Sequence, residues 1–332
     1  MIYIDENACI YILCPANNKT GGTELLHQLC DELNNNNFKA YMAYYFEGTN
    51  RTQTTPEAFK KYNIKECIYS SIEDNEENII ILPEIAIGMQ KHFKKIRKCI
   101  WWLSVDNFVE TVGFKNRFKK YGILSLLKHI VDNDISTYKD INSINYHLCQ
   151  SYYAIDFLKS LGITSNVYYL SDYINDIYMR PFKIHDRKDI VLYNPKKGFD
   201  FTEKLIHFSN AITWKPIINM SNEEVLNTLR ESKVYVDFGN HPGKDRIPRE
   251  AAISGCCVIT GMNGSARFWE DVPIPQEYKY KKKEENVSAI ISKILFCLNN
   301  YEDAINDFKQ YREYIKSEKK NFTIDLLKIF VR

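Results

Sequence analysis

Short, nearly unbroken apolar stretches alternate with amphipathic ones along this chain, and that alternation limits its fold more than any other feature. CIYILCP (9–15), KAYMAYYF (39–46), NIIILPE (78–84) and KCIWWLSVD (98–106) lack the polar–apolar rhythm of a half-exposed strand. Strands apolar on both sides belong in a parallel sheet with helices over both faces. Between the first two, ANNKTGGTELLHQLCDELNNNN (16–37) reads as a loop and an amphipathic helix. Leu25, Leu26, Leu29 and Leu33 recur at helical spacing and the asparagine run closes the helix. YHLCQSYYAIDFLKSLGI (146–163) continues as strand into helix, and VYYLSDYI (167–174) as a further strand.

The alternation then pauses. RPFKIHDRKD (180–189) is charged, contains Pro181 and has no apolar period, which predicts a linker. Beyond it a second series begins: IVLYNP (190–195), a helix around TEKLIHF (202–208), WKPIIN (214–219), a helix NEEVLNTLRES (222–232), KVYVDFG (233–239), a helix PREAAISG (248–255) and CCVITG (256–261). The expected fold class is therefore α/β, with two Rossmann-like domains facing across a cleft and helices at the C-terminus. The expected divisions are 1–180 for the first domain, 181–188 for the linker, 189–300 for the second domain, and 301–332 for helices packing back toward the first. From Val287 onward the reading is two or three polar helices with no remaining sheet.

Composition removes several function classes. With 44 Lys+Arg against 42 Asp+Glu, no global field recruits nucleic acid. No apolar run is long enough to cross a bilayer, and Asp5 and Glu6 interrupt the N-terminal apolar stretch, which argues against a secretory signal. Nine cysteines, odd in number and without a Cys-x-x-Cys pair, fit reduced thiols in a cytoplasmic protein rather than zinc ligands or disulfides.

Chemistry concentrates in loops that follow strands. In DFGNHPGKDRIPREAA (237–252), Pro248 suits the first position of a helix, where its missing N–H costs nothing. The preceding loop then leaves free N–H groups and the positive end of the helix dipole beside Lys244 and Arg246, a setting for a pyrophosphate. Glu250, expected in the first turn, would accept from a ribose diol. NPKKG (194–198) brings Lys196 and Lys197 to a neighbouring loop, and Gly264 and Ser265 in NGSARF (263–268) offer N–H groups to the same anion. In the first domain Gly21 and Gly22 lie between strand and helix, with Thr23 as the expected cap. This is not the G-x-G-x-x-G fingerprint, which argues against a nicotinamide enzyme. Asp132–Asp134 (DND) reads as a solvated turn rather than a metal motif, and Phe114 to Ile130 mixes Lys and Arg with Phe, Leu and Ile as an interfacial helix does.

Together the GGTE helix start, NPKKG and the run E-A-A-x-x-G-C-x-V-I-T resemble nucleotide-sugar glycosyltransferases of the GT-B fold. The resemblance is to the family-four-like branch of bacterial capsule, lipopolysaccharide and other surface-polysaccharide synthesis. It implies transfer of a sugar from an NDP-sugar donor to a glycan or lipid-linked glycan, with no cofactor and no catalytic metal. Cysteine usage and the interrupted N-terminal apolar stretch place such an enzyme in the cytoplasm, and the Phe114–Ile130 helix would give it peripheral contact at the inner face of the membrane. In that family a Glu-x7-Glu pair spans the loop. Its second glutamate matches Glu250, a ribose ligand, while its first falls on Pro242, leaving Asp245 or His241 to take its place. Lys196 and Lys197 would neutralise the diphosphate. An inverting reaction needs a base on the first domain, for which Asp106 is the first candidate and Glu24 and His27 follow. A non-catalytic two-domain binder of sugar or nucleotide is the competing class.

Overall fold

The structure is a computed structural model and describes residues 1–46 and 54–332. Its strands are β1 (Ile2–Tyr3), β2 (Cys9–Pro15), β3 (Lys39–Tyr45), β4 (Lys65–Ile68), β5 (Ile79–Pro83), β6 (Arg97–Trp102), β7 (Tyr146–Cys149), β8 (Val167–Tyr169), β9 (Lys188–Tyr193), β10 (Thr213–Pro216), β11 (Ser232–Asp237), β12 (Cys257–Gly261), β13 (Lys279–Tyr280) and β14 (Phe330–Val331). The α-helices are α1 (Gly21–Asn35), α2 (Val105–Thr111), α3 (Phe114–Val131), α4 (Tyr152–Ser160), α5 (Phe199–His207), α6 (Asn222–Glu231), α7 (Arg246–Ile253), α8 (Val287–Asn299), α9 (Tyr301–Ala304) and α10 (Lys309–Ile329).

Two compact units result: residues 1–170 with 322–332, and residues 171–321. The first holds a parallel seven-stranded sheet in the order β4-β3-β2-β5-β6-β7-β8, and the second a parallel five-stranded sheet in the order β10-β9-β11-β12-β13. All five residues of β5 and of β12 are buried, as burial on both faces of a parallel sheet demands. Each sheet reverses its strand order once, between β2 and β5 in the first and between β9 and β11 in the second. In open α/β sheets ligands bind at such a reversal, outside the carboxyl ends of the strands.

Several expectations need correction. Residues 171–188 lie in the second unit rather than in a first domain and linker. Arg187 is buried there, donating to the carbonyls of Leu229, Ser232 and Ser254, so its charge serves packing rather than solvation. The C-terminal segment is neither all polar nor free of strand. Helix α8 buries Val287, Ile290, Ile294, Cys297 and Leu298, and β14 pairs in parallel with β1. Helix α10 contributes its first part to the second unit and residues from Phe322 onward to the first. The cap of α1 is Thr20, not Thr23. Thr20 accepts from the Thr23 N–H while Thr23 Oγ1 accepts from the Thr20 N–H, a reciprocal box closed by two threonines. All nine cysteines are free thiols, seven of them buried, so they act as small core residues.

Candidate functional site

At the carboxyl ends of β9 and β11, where the second sheet reverses, Lys197, His241, Asp245 and Gly264 come together. From β9 the chain turns through Asn194–Gly198 into α5, and Asn194 Oδ1 accepts from the Lys196 N–H at 3.0 Å to fix the turn. Gly198 has φ +60°, and a Cβ there would lie 2.1 Å from the Phe238 carbonyl oxygen, so only glycine lets the two loops meet. Gly264, at φ +50° in the turn after β12, approaches as closely: its Cβ would lie 2.0 Å from the His241 carbonyl oxygen. Loops from β9, β11 and β12 are thereby locked together at one sheet edge.

Lys197 and Asp245 meet in this lock, with Nζ 2.7 Å from Oδ1. Burial works against the Lys197 ammonium, but Asp245 more than offsets it and raises its pKa. Asp245 is buried, which alone would favour its protonated form. His241 and Lys197 outweigh this and bring its pKa down to about 2. His241 is wholly enclosed: Nε2 hydrogen-bonds the Asp237 backbone carbonyl at 3.3 Å and lies 3.4 Å from Asp237 Oδ1, and Nδ1 lies 3.3 Å from Asp245 Oδ2. Asp237 ends β11, accepting from the Gly239 N–H at 2.9 Å and from the Tyr235 hydroxyl at 2.8 Å. Burial first, then Asp237, holds the Tyr235 phenol well above its ordinary range, and Asp245 and Glu250 add to the effect.

Asp237, His241 and Asp245 offer ligand atoms within 4.8 Å of one another, the spacing of a cation site. The carboxylates, however, face opposite nitrogens of one imidazole, and an ion bound to either nitrogen leaves the other carboxylate across the ring. Lys197 already neutralises Asp245.

Other predicted residues lie elsewhere. Lys244 points into the second unit: its side chain is 1% exposed and its ammonium is held by Glu318 at 2.8 Å, Ser171 at 2.9 Å and Tyr314 at 2.9 Å. It is not poised for a phosphate. Beside it Arg249, which sequence reasoning passed over, is fully buried between Asp172 at 2.7 Å and Glu318 at 3.0 Å. Burial opposes the Asp172 carboxylate, but Arg249, Lys244 and Arg246 hold its pKa down. The Arg246 charge thus bears on Asp172.

Helix α7 begins at Arg246, so Pro248 is its third residue rather than its first, still at a position where an N–H would have no intrahelical acceptor. Glu250 is its fifth residue, buried and beyond the first turn. Ser265 is also spent on the scaffold: its N–H donates to the His241 carbonyl and its hydroxyl to that of Gly243. Lys196 is exposed. His241, expected against a sugar, faces inward on both sides instead.

In the first unit Asp106 is the second residue of α2, capped by Ser104, and accepts from Tyr153 at 2.8 Å. Glu24 accepts from Tyr62 at 2.9 Å and pairs with Lys61 at 3.6 Å. His27 is no base for a substrate. It is fully buried, bonded to the Thr23 carbonyl at 2.6 Å and the Tyr44 hydroxyl at 2.8 Å, and burial lowers its pKa. Gly21 and Gly22 open α1, and a side chain at Gly22 would meet Leu103 Cδ1 at an ordinary 3.8 Å, so nothing steric demands glycine there. At the neighbouring strand end, burial pushes the Glu84 carboxyl up to about 7 while it accepts from the Leu103 N–H at 3.0 Å.

A cavity of about 1120 Å³ lies over the carboxyl ends of β2 to β5, lined by Pro15, Tyr45, Ile68 and Ala86 and by Leu124 and Lys128 of α3. Asp134, in the turn after α3, is bound to His129 at 2.5 Å.

No protein-family model matches this chain, and no curated protein matches it by sequence. Solved structures do match. Sucrose-phosphate synthase from Thermosynechococcus elongatus aligns over 97% of this chain and 98% of its own, with TM-score 0.65 and 11% identity. HepE of Anabaena in complex with UDP-glucose aligns over 96% and 98%, with TM-score 0.63 and 9% identity. TarM of S. aureus, in complex with fondaparinux, α-GlcNAc-glycerol and UDP, aligns over 78% of this chain, with TM-score 0.53 and 14% identity. The chain spans only 56% of the TarM chain. With two parallel-sheet α/β units matched along nearly their whole length by such enzymes, the chain has the GT-B fold of nucleotide-sugar glycosyltransferases.

Proposed function

We propose that the protein is a glycosyltransferase that takes an NDP-sugar at the β9–β11 crevice and passes the sugar to a glycan or lipid-linked glycan acceptor of a bacterial surface polysaccharide. The observation that carries this reading is the lock of three strand-end loops around Lys197 and Asp245, at the reversal point of the second sheet. As the anomeric bond stretches, charge grows on the β-phosphate. A cation fixed before the reaction stabilises that charge without reorganising, and removing one such group typically costs about 100- to 1000-fold in rate. The Lys197 side chain keeps 39% exposure, against 1% for Lys244, so of these two Lys197 is the one able to reach a ligand. In this reading Lys197 and the α5 and α7 termini take the part that a metal plays in other transferases.

We place the acceptor at the cavity over the first sheet; Thr111 at the end of α2 lines it, and Asp106 at the start of that helix is the candidate base. Helix α3, which lines that cavity, exposes Phe118, Ile123, Leu124, Leu127, Ile130 and Val131 beside Lys115, Lys119 and Lys128. That pairing supports an acceptor on a lipid carrier and peripheral membrane contact. No helix among the described residues is long and apolar enough to cross a membrane.

Incubation with radiolabelled UDP-, GDP-, CDP- and ADP-sugars tests the reading. Release of labelled sugar, or its transfer to a membrane extract, is expected with one of them. Turnover with none would remove it.

A further inference from the structure

His241 combines three properties that a loop residue does not usually share. It is fully buried, it stands between two carboxylates, and its backbone is left-handed at φ +48°. A non-glycine residue in that region carries conformational strain, and such strain persists where the surroundings impose it. Here they do. The Ser265 N–H holds the His241 carbonyl at 2.9 Å, in space that is open only because Gly264 has no Cβ. A turn needing only this backbone would be served by glycine or asparagine, so the imidazole itself is what the position requires.

Charge bookkeeping shows why. Asp237 and Asp245 face the ring from the end of β11 and the cap of α7, and Lys197 faces Asp245 from the β9 loop. From α7, the Arg246 charge bears on Asp172 and that of Glu250 on Tyr235. On the adjoining loop, Lys282 donates to Asn240 Oδ1 at 3.4 Å. With a neutral imidazole the core of Asp237, Asp245 and Lys197 carries one net negative charge where a diphosphate has to bind. With an imidazolium it is balanced, and Asp245 is shared between His241 and Lys197 rather than holding Lys197 alone.

We propose that His241 is a positioning residue whose ring, charged and clamped between Asp237 and Asp245, orients Asp245 so that it presents Lys197 to the donor diphosphate. The electrostatics agree: burial opposes charging the ring, yet Asp237 and Asp245 together raise its pKa above the ordinary histidine value. A raised pKa keeps the proton to a higher pH than an ordinary histidine would and releases it beyond that. The support for donor binding is therefore present on the acid side and lost as pH rises through the folded-state value.

This inference rests on the donor-site reading, and the experiment separates the two. UDP, GDP, CDP and ADP are titrated calorimetrically into the wild-type protein and His241→Asn from pH 6 to pH 9. Asparagine tolerates the left-handed backbone, so this variant keeps the turn while removing the charge. The expected result is a wild-type affinity that falls on the order of tenfold across the histidine titration, one partly screened charge's worth. His241→Asn should be weak throughout and nearly flat with pH. In parallel, ¹⁵N spectra of histidine-labelled protein should show both His241 ring nitrogens protonated at pH 7, and Asp245→Asn should lower that transition. Failure of the wild type to bind any nucleotide at any pH overturns the donor-site reading and this inference with it. Firm binding with the same pH profile in His241→Asn, or a neutral His241 ring at pH 7, overturns this inference alone.

Discussion

The ammonium of Lys197 lies 2.7 Å from the Asp245 carboxylate, joining the loop after β9 to the cap of α7 across the point where the second sheet reverses. A phosphate entering the crevice has to share or replace Asp245 as the partner of Lys197. Replacing Asp245 with asparagine frees the lysine but also leaves it unplaced. We expect Asp245→Asn to weaken donor binding less than Lys197→Met does, yet to lower turnover, a split that initial-rate kinetics would resolve.

Lys244 and Arg249 belong to the framework. Arg249 is enclosed between Asp172 and Glu318, and removing one partner of a buried charge network typically costs about 3–5 kcal/mol. Urea denaturation should show a loss of that order for Arg249→Met and a comparable one for Lys244→Met. Whatever fraction of Lys244→Met remains folded should bind nucleotide as tightly as the wild type. A folded Lys244→Met with selectively lost nucleotide affinity would return Lys244 to the ligand.

Much of this was legible in advance, for definable reasons. Strands β2, β3, β5 and β12 are nearly all apolar because both sheet faces are covered, and β9 and β11 carry apolar centres (Ile190–Tyr193 and Val234–Val236), so they were plain in the sequence. Strand β4 has no such signature, since Lys65, Glu66 and Ile68 are exposed on a sheet edge. Strands β1, β13 and β14 are two residues each, too short to show a period. At the site, glycine and lysine located the loops, but Lys197 and Lys244 look alike in one dimension. Only the distant partners Ser171, Tyr314 and Glu318 turn Lys244 inward. Arg249 was missed because an arginine in a helix usually faces water.

Glu84 predicts a pH effect in the first unit. Its carboxyl is raised by burial to about 7 against an unfolded value near 4.5, so the folded state holds more protons between those limits. Stability therefore falls as pH rises through that window. Glu84→Gln keeps an acceptor for the Leu103 N–H without the buried charge. Its melting temperature should exceed that of the wild type at pH 8, by about 1–3 kcal/mol of stability, and match it near pH 5. Equal melting at both pH values would contradict the burial argument.

Gly198 tests the lock between loops. A methyl group there meets the Phe238 carbonyl and requires a strained φ, so Gly198→Ala should cost about 1–3 kcal/mol and displace the Lys197 loop. Nucleotide affinity should fall together with stability, as thermal shift with and without nucleotide would show.

Asp106→Asn should abolish sugar transfer and leave donor binding intact, since Asp106 belongs to the first unit and the proposed donor site to the second. Retained transfer would make its bond to Tyr153 a structural one.

The most direct test of the donor site is calorimetric titration of UDP, GDP, CDP and ADP into the wild-type protein and Lys197→Met. One nucleotide should bind the wild type, and the variant should lose about 10- to 100-fold in affinity, the value of one charge-assisted contact. Unchanged affinity in a folded Lys197→Met would contradict the account.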